Sequence, residues 1–183
     1  MLDLQKGQST MFEKSVKEVV VEARWTGAHD PDIFAIAQDK DGRMVNESAC
    51  FFNKTSLFNG AIRHSGDARD GDSKPVTEAD ETMWFQLNKI PEEIVKIQVF
   101  LSIFDAELGD DGIYKQNFGQ MQQMEATIIT DGKKVAVIDL ADKHGTCISM
   151  TMLEITRKDG RWSVTPIQQQ ENLTIGDYFA KHK

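Results

Sequence analysis

With 183 residues the chain falls in the usual range for one domain and is long enough to bury a sizeable core, which excludes disorder as its description. Apolar residues supply 40%, charged residues 27% and aromatic residues 8%, close to the averages of water-soluble globular proteins. A formal net charge of −8 with no basic cluster repels a phosphate backbone, which excludes nucleic acid as a partner.

The opening stretch Met1-Leu2-Asp3-Leu4-Gln5-Lys6-Gly7 lacks the apolar core of a signal peptide. No run approaches the roughly 18 apolar residues of a membrane span. A cytoplasmic protein is expected, with peripheral contact to a membrane surface left open. Cys50 and Cys147 are too few for a disulfide framework and read as buried thiols.

Glycine-containing turn pairs recur at Asp41-Gly42, Asn59-Gly60, Asp131-Gly132 and Asp159-Gly160, each between short apolar or β-branched segments, which is hairpin spacing. In chain order the expected strands are Lys17–Trp25, Ile33–Gln38, Arg43–Phe52, Thr82–Leu87, Lys96–Phe104, Glu125–Thr130, Val135–Leu140, Cys147–Thr156 and Trp162–Pro166. Ile148, Met150 and Met152 share one strand face, but Leu153 and Ile155 switch parity, which places a bulge near Met152. Pro91-Glu92-Glu93 is expected to open a short helical turn. Asn172 or Thr174 is expected to cap a C-terminal helix carrying Ile175, Tyr178 and Phe179 at helical spacing. Strands this dense, without helical crossovers, predict an all-β fold: residues 1–183 as a single antiparallel β-sandwich with a few short helices.

The most unusual segment runs from Gly66 to Glu81 and holds Asp67, Asp70, Asp72, Glu78, Asp80 and Glu81 against Arg69 and Lys74. It is expected to form an exposed loop. Crowded carboxylates repel unless they are solvated or neutralised, and a hard divalent cation taking about 6–8 oxygens neutralises them best. Calcium suits that set, whereas zinc would call for His or Cys ligands. Composition alone favours a plain solvated loop. Upstream, Asp30-Pro31-Asp32 precedes an apolar strand. In extended geometry its two carboxylates share a face and can join the later loop around one cation, while a turn at Asp30-Pro31 would simply expose both. Helix-loop-helix calcium spacing is excluded, because windows centred on Gly42 or Gly71 lack acids at the first and last positions.

Other candidates are weaker. His29, His64, His144 and His182 are scattered, and His144 with Cys147 makes neither a four-ligand zinc site nor a supported nucleophile pair. His64 reads as a packed or exposed loop histidine or as a pH-sensitive contact beside the acids. Asp105, Glu107, Asp110 and Asp111 read as a solvated loop, and Trp25, Trp84 and Trp162 as core or sheet-face residues. No phosphate-binding glycine loop and no Gly-x-Ser-x-Gly elbow occurs.

Taken in order, Leu4-Gln5-Lys6-Gly7-Gln8, Trp25, Asp30-Pro31-Asp32, Phe51-Phe52-Asn53, His64-Ser65-Gly66-Asp67, Asp80-Glu81, Leu87-x-x-Ile90-Pro91, Phe118-Gly119-Gln120 and Gly160-Arg161-Trp162 resemble the TerD-type tellurium-resistance family over nearly the whole chain. The resemblance implies a TerD-like β-sandwich that binds calcium through acidic loops at one end, in bacterial proteins linked to tellurite, phage or other stress resistance. It implies no catalytic activity. Carried over by position, Asp30, Asp32, Asp67, Asp80 and Glu81 are the implied metal ligands, with Asp70, Asp72 and Glu78 added by local composition. Pro31, the segment Ser73-Lys74-Pro75-Val76-Thr77, Ala79 and Ala68 depart from the family pattern and favour one Ca2+ ion over two.

The expected role is that the ion orders a surface recognised by protein partners, among them other stress-resistance proteins. The alternative is a metal-independent acidic module that docks a basic partner directly.

Overall fold

The computed structural model describes residues 1–27, 29–66, 79–140 and 145–183. The candidate residues Asp67, Asp70, Asp72, Glu78 and His144 lie outside the described residues. Seven strands form one sheet, in the order β1 (Leu2–Asp3), β11 (Lys133–Asp139), β10 (Met121–Thr130), β3 (Glu18–Gly27), β8 (Glu81–Gln86), β7 (Ile62–His64) and β6 (Ser56–Leu57). Six form the other, in the order β2 (Thr10–Met11), β13 (Arg161–Glu171), β12 (Ser149–Lys158), β9 (Lys96–Ile103), β4 (Pro31–Gln38) and β5 (Met44–Cys50).

The nine expected strands are all present, shifted at their ends. The short strands β1, β2, β6 and β7 were not expected, because two or three residues carry no readable period. The all-β expectation holds with one amendment: β1 pairs with β11 in parallel, while every other ladder is antiparallel. Asp131-Gly132 and Asp159-Gly160 both adopt positive φ, at 44° and 80° and at 51° and 71°, the backbone that closes two-residue hairpins compatibly with strand twist. Those turns set the registers Thr130↔Lys133 and Lys158↔Arg161.

In β12 the register shifts between Thr151 and Leu153, so Met150, Met152, Leu153 and Ile155 all stay buried in one core despite the parity change. That core lies between the sheets and alternates along each strand, with Val19, Val21, Ala23 and Trp25 from β3 facing Ile33, Ala35 and Ala37 from β4. A second apolar cluster joins Phe34, Ile36, Ala49 and Phe100 on the outer face of the six-stranded sheet to Tyr178. Tyr178 comes from α1 (Ile175–Lys181), which Thr174 caps in a reciprocal bond with Asp177. Its hydroxyl lies 3.0 Å from Glu171 Oε2 and 3.1 Å from Ser149 Oγ, so the buried phenol is satisfied. Pro91 opens a hydrogen-bonded turn rather than a helix, through Ile94 N–H to its carbonyl at 3.1 Å, and the nearby 3-10 turn is Leu87–Lys89.

Candidate functional site

The acids of interest gather at the end of the sandwich where β4 and β8 begin and β3 and β7 finish. The local cause is unequal strand length. β5 stops opposite Ala35, at Cys50, and leaves the main chain of Ile33 without a strand partner on that side. A buried N–H or C=O without a partner costs about as much as a lost hydrogen bond, so both groups must be met by other means. Glu81, the first residue of β8 in the opposite sheet, accepts from Ile33 N–H at 2.5 Å. His64, the last residue of β7, places Nε2 at 2.9 Å from Ile33 O. One carboxylate and one imidazole therefore stand in for the missing strand and tie the two sheets together.

Asp80 does the same for β3. Glu81 is the last residue of β8 to pair with that strand, opposite Ala23, and Asp80 Oδ2 then accepts from Trp25 N–H at 2.8 Å. Asp80 also donates its own N–H to Ala23 O at 3.0 Å. Asp80 and Glu81 are 5% and 2% exposed, which corrects the expectation that the Gly66–Glu81 segment is exposed throughout. The reason is geometric: its last two residues already belong to the strand start, where main-chain donors draw carboxylates inward.

His64 is 6% exposed and so is the packed residue of the two readings. Its Nδ1 accepts from Gly66 N–H at 2.8 Å, which leaves Nε2 as the protonated nitrogen of a neutral ring donating to Ile33 O. Glu81 Oε2 lies 3.8 Å from that nitrogen.

Asp32 sits in β4 opposite Ser102 of β9, and Asp30 directly precedes the strand and is exposed. Because Asp32 alternates with Pro31 and Ile33, it falls in register with Phe34 on the outer strand face, whereas Glu81 approaches the same strand from the core side. The structure thus brings Asp30, Asp32, Asp80 and Glu81 to one end of the sandwich on different faces. Among the described residues no three His, Cys, Asp or Glu side chains form a metal-holding group.

In kind, the donors at this end are all carboxylate oxygens, the ligand type a hard cation takes. The main chain of Trp25 meets Asp80, and among the described residues its buried indole N–H has no hydrogen-bond partner. The thiols do not suit a soft metal. Both are free, and burial pushes Cys50 up to about 12 and raises Cys147 as well. Asp105, Glu107, Asp110 and Asp111 are exposed on a small hairpin after β9, as expected of a solvated loop. The role of His64 as a clamp on Ile33 was not legible beforehand, since the end of β5 decides it.

The TerD domain family model matches residues 1–181. The Tellurium resistance protein TerD of Serratia marcescens is 28% identical over 92% of this chain and 90% of its own length. General stress protein 16U of Bacillus subtilis is 28% identical over 91% of this chain and 89% of its own. In fold, the chain matches SAV2460, a protein of unknown function, at 19% identity and a TM-score of 0.72, covering 90% and 95% of the two chains. It also matches SCO6318 of Streptomyces coelicolor A3(2), a homologue of telluride resistance protein (TerD), at 21% identity and a TM-score of 0.70, covering 88% and 94%. The chain belongs to the TerD domain family.

Proposed function

We infer that this protein is a non-enzymatic calcium-binding β-sandwich of a bacterial stress-resistance system, in which the ion orders an acidic end that partner proteins recognise. The observation that carries the reading is the pair Asp80 and Glu81: two buried carboxylates from one acid-rich segment, each holding the main chain of a different sheet, beside Asp30 and Asp32. Buried carboxylates are costly unless paired, hydrogen-bonded or bound to a cation. The remaining expected ligands, Asp67, Asp70, Asp72 and Glu78, come from the same segment as Asp80 and Glu81. Relatives named for tellurium resistance and general stress support the physiological class. No helix among the described residues is long and apolar enough to cross a membrane.

A calcium titration of chelator-treated protein by calorimetry tests the reading, with melting curves at both ends and sodium at matched ionic strength as control. Binding at 100 times the dissociation constant adds about 2.7 kcal/mol to the folded state. Asp67→Asn combined with Glu81→Gln is expected to abolish that gain. An unchanged calcium-dependent shift in the double variant would reject these ligands. One observation favours the metal-independent module instead, namely that Asp80 and Glu81 already serve main-chain donors. The absence of both heat and a melting shift on adding calcium would decide for it.

A further inference from the structure

We propose that the segment after β9, which exposes Phe104, Leu108 and Ile113 among the carboxylates of residues 105–111, is a docking surface for a basic segment of a partner protein that also carries large apolar side chains. Of the six large hydrophobic residues exposed among the described residues, three fall within this one short segment: Phe104 at 52%, Leu108 at 56% and Ile113 at 43%. Chance scatter of single apolar residues needs no explanation, but local concentration on a rim of polar residues marks a binding surface. Phe104 does not stand alone. Its ring lies 5.5 Å from that of half-buried Phe52 at an interplanar angle of 74°, and Phe52 lies 5.6 Å from Phe51. Phe51 in turn lies 5.3 Å from Phe179 of α1, so the exposed ring ends a continuous aromatic row anchored on the second cluster. Such a row is rigid, and rigid aromatic anchors lose little conformational entropy on binding.

The loop beyond Phe104 is also held in shape. Gly109 N–H donates to Ile113 O at 2.8 Å, Lys115 N–H to Glu107 O at 2.8 Å, and Leu108 bridges to Tyr114. Leu108 is therefore presented on a formed hairpin.

The charge around these residues selects the occupant. Asp105, Glu107, Asp110 and Asp111 are exposed, and the cation within the hairpin, Lys115, lies 2.5 Å from Glu107 and neutralises only that one. The β4–β9 ladder runs out at Pro31↔Ile103, so Asp30 and Phe104 are the residues that flank its last pair. A second copy of this chain, carrying −8, would bring the same carboxylates face to face, and an anionic lipid surface would meet the same repulsion. Lys or Arg interspersed with apolar side chains meets both features at once.

The proposal goes beyond the calcium reading and is tested in excess chelator, so that the two fail separately. Full-length protein is titrated against a labelled synthetic peptide of alternating Lys and Leu, with Lys-Ser and Glu-Leu peptides as comparisons, by fluorescence anisotropy. The Lys-Leu peptide is expected to bind at least about tenfold tighter than either comparison. Leu108→Ser and Phe104→Ser, which leave the charge unchanged, are each expected to weaken it by about tenfold, as truncation of a central anchor does. Met11→Ser, which removes another exposed apolar residue from the far edge strand β2, is expected to change nothing. Circular dichroism melts confirm that the variants fold, and Leu108→Ser, on the exposed hairpin, keeps the test valid if Phe104→Ser does not. Equal binding of all three peptides, or full binding by Leu108→Ser, would overturn the proposal. So would phosphatidylglycerol vesicles sedimenting the protein while the Lys-Leu peptide fails to bind.

Discussion

Replacing Glu81 isolates what its carboxylate does for Ile33. Glu81→Gln and Glu81→Ala both remove a negative charge from an acidic end, so any relief of repulsion is common to the two. They differ in the acceptor: Gln keeps an oxygen for the Ile33 N–H that Glu81 now meets at 2.5 Å, and Ala does not. Leaving that buried donor unmet costs about 1–3 kcal/mol. Glu81 is 2% exposed, so water reaches the site poorly and the middle of that range applies, about 2 kcal/mol. For a chain of this size about 2 kcal/mol corresponds to roughly 4–8 °C in Tm. Thermal melts of both variants in excess chelator read the difference directly. If Glu81→Ala melts within a degree of Glu81→Gln, the carboxylate does not stand in for a strand partner, and the account of this end of the sandwich is wrong.

Gly27→Ala is expected to destabilise strongly, by about 2–3 kcal/mol by denaturant titration, because φ is +140° there and a Cβ would sit 2.9 Å from Met121 Cα and 3.1 Å from Gln120 O, both backbone atoms. Burial holds the Cys50 thiol up at about 12, so maleimide near pH 8 should leave it unlabelled in the native protein and modify it once unfolded; native labelling of Cys50 counts against its packing. His182 titrates below its usual range, mainly through burial, so the unfolded chain binds the proton more readily. Stability from this residue is therefore complete above the ordinary histidine pKa of about 6.5 and is lost as pH falls toward the folded value. Melting curves across that window should fall more steeply with acid for the wild type than for His182→Gln, and parallel curves would refute the assignment.

Hairpin positions were written locally. Asp131-Gly132 and Asp159-Gly160 demand a left-handed turn whatever surrounds them, and the parity break at Met152 demands a bulge, so both were legible in order and place. The capped C-terminal helix was equally local, since Thr174 and Asp177 satisfy each other across one turn. The crowding of acids in the Asp67–Glu81 segment and in Asp30-Pro31-Asp32 is likewise a property of neighbouring residues.

Which acids are buried, and what they hold, was decided only in three dimensions. Ile33 lacks a strand partner on the β5 side because β5 ends at Cys50, and no local pattern announces where a neighbouring strand will stop. The parallel pairing of β1 to β11 is likewise a contact between two residues and a strand more than a hundred positions away. The aromatic row from half-buried Phe51 to exposed Phe104 joins segments that meet only because β4 lies between β5 and β9. The sequence alone determined the all-β class and the Asp131-Gly132 and Asp159-Gly160 hairpins. Tertiary structure decided which main-chain groups needed a side-chain partner, because that depends on unequal strand lengths across two packed sheets, a non-local quantity.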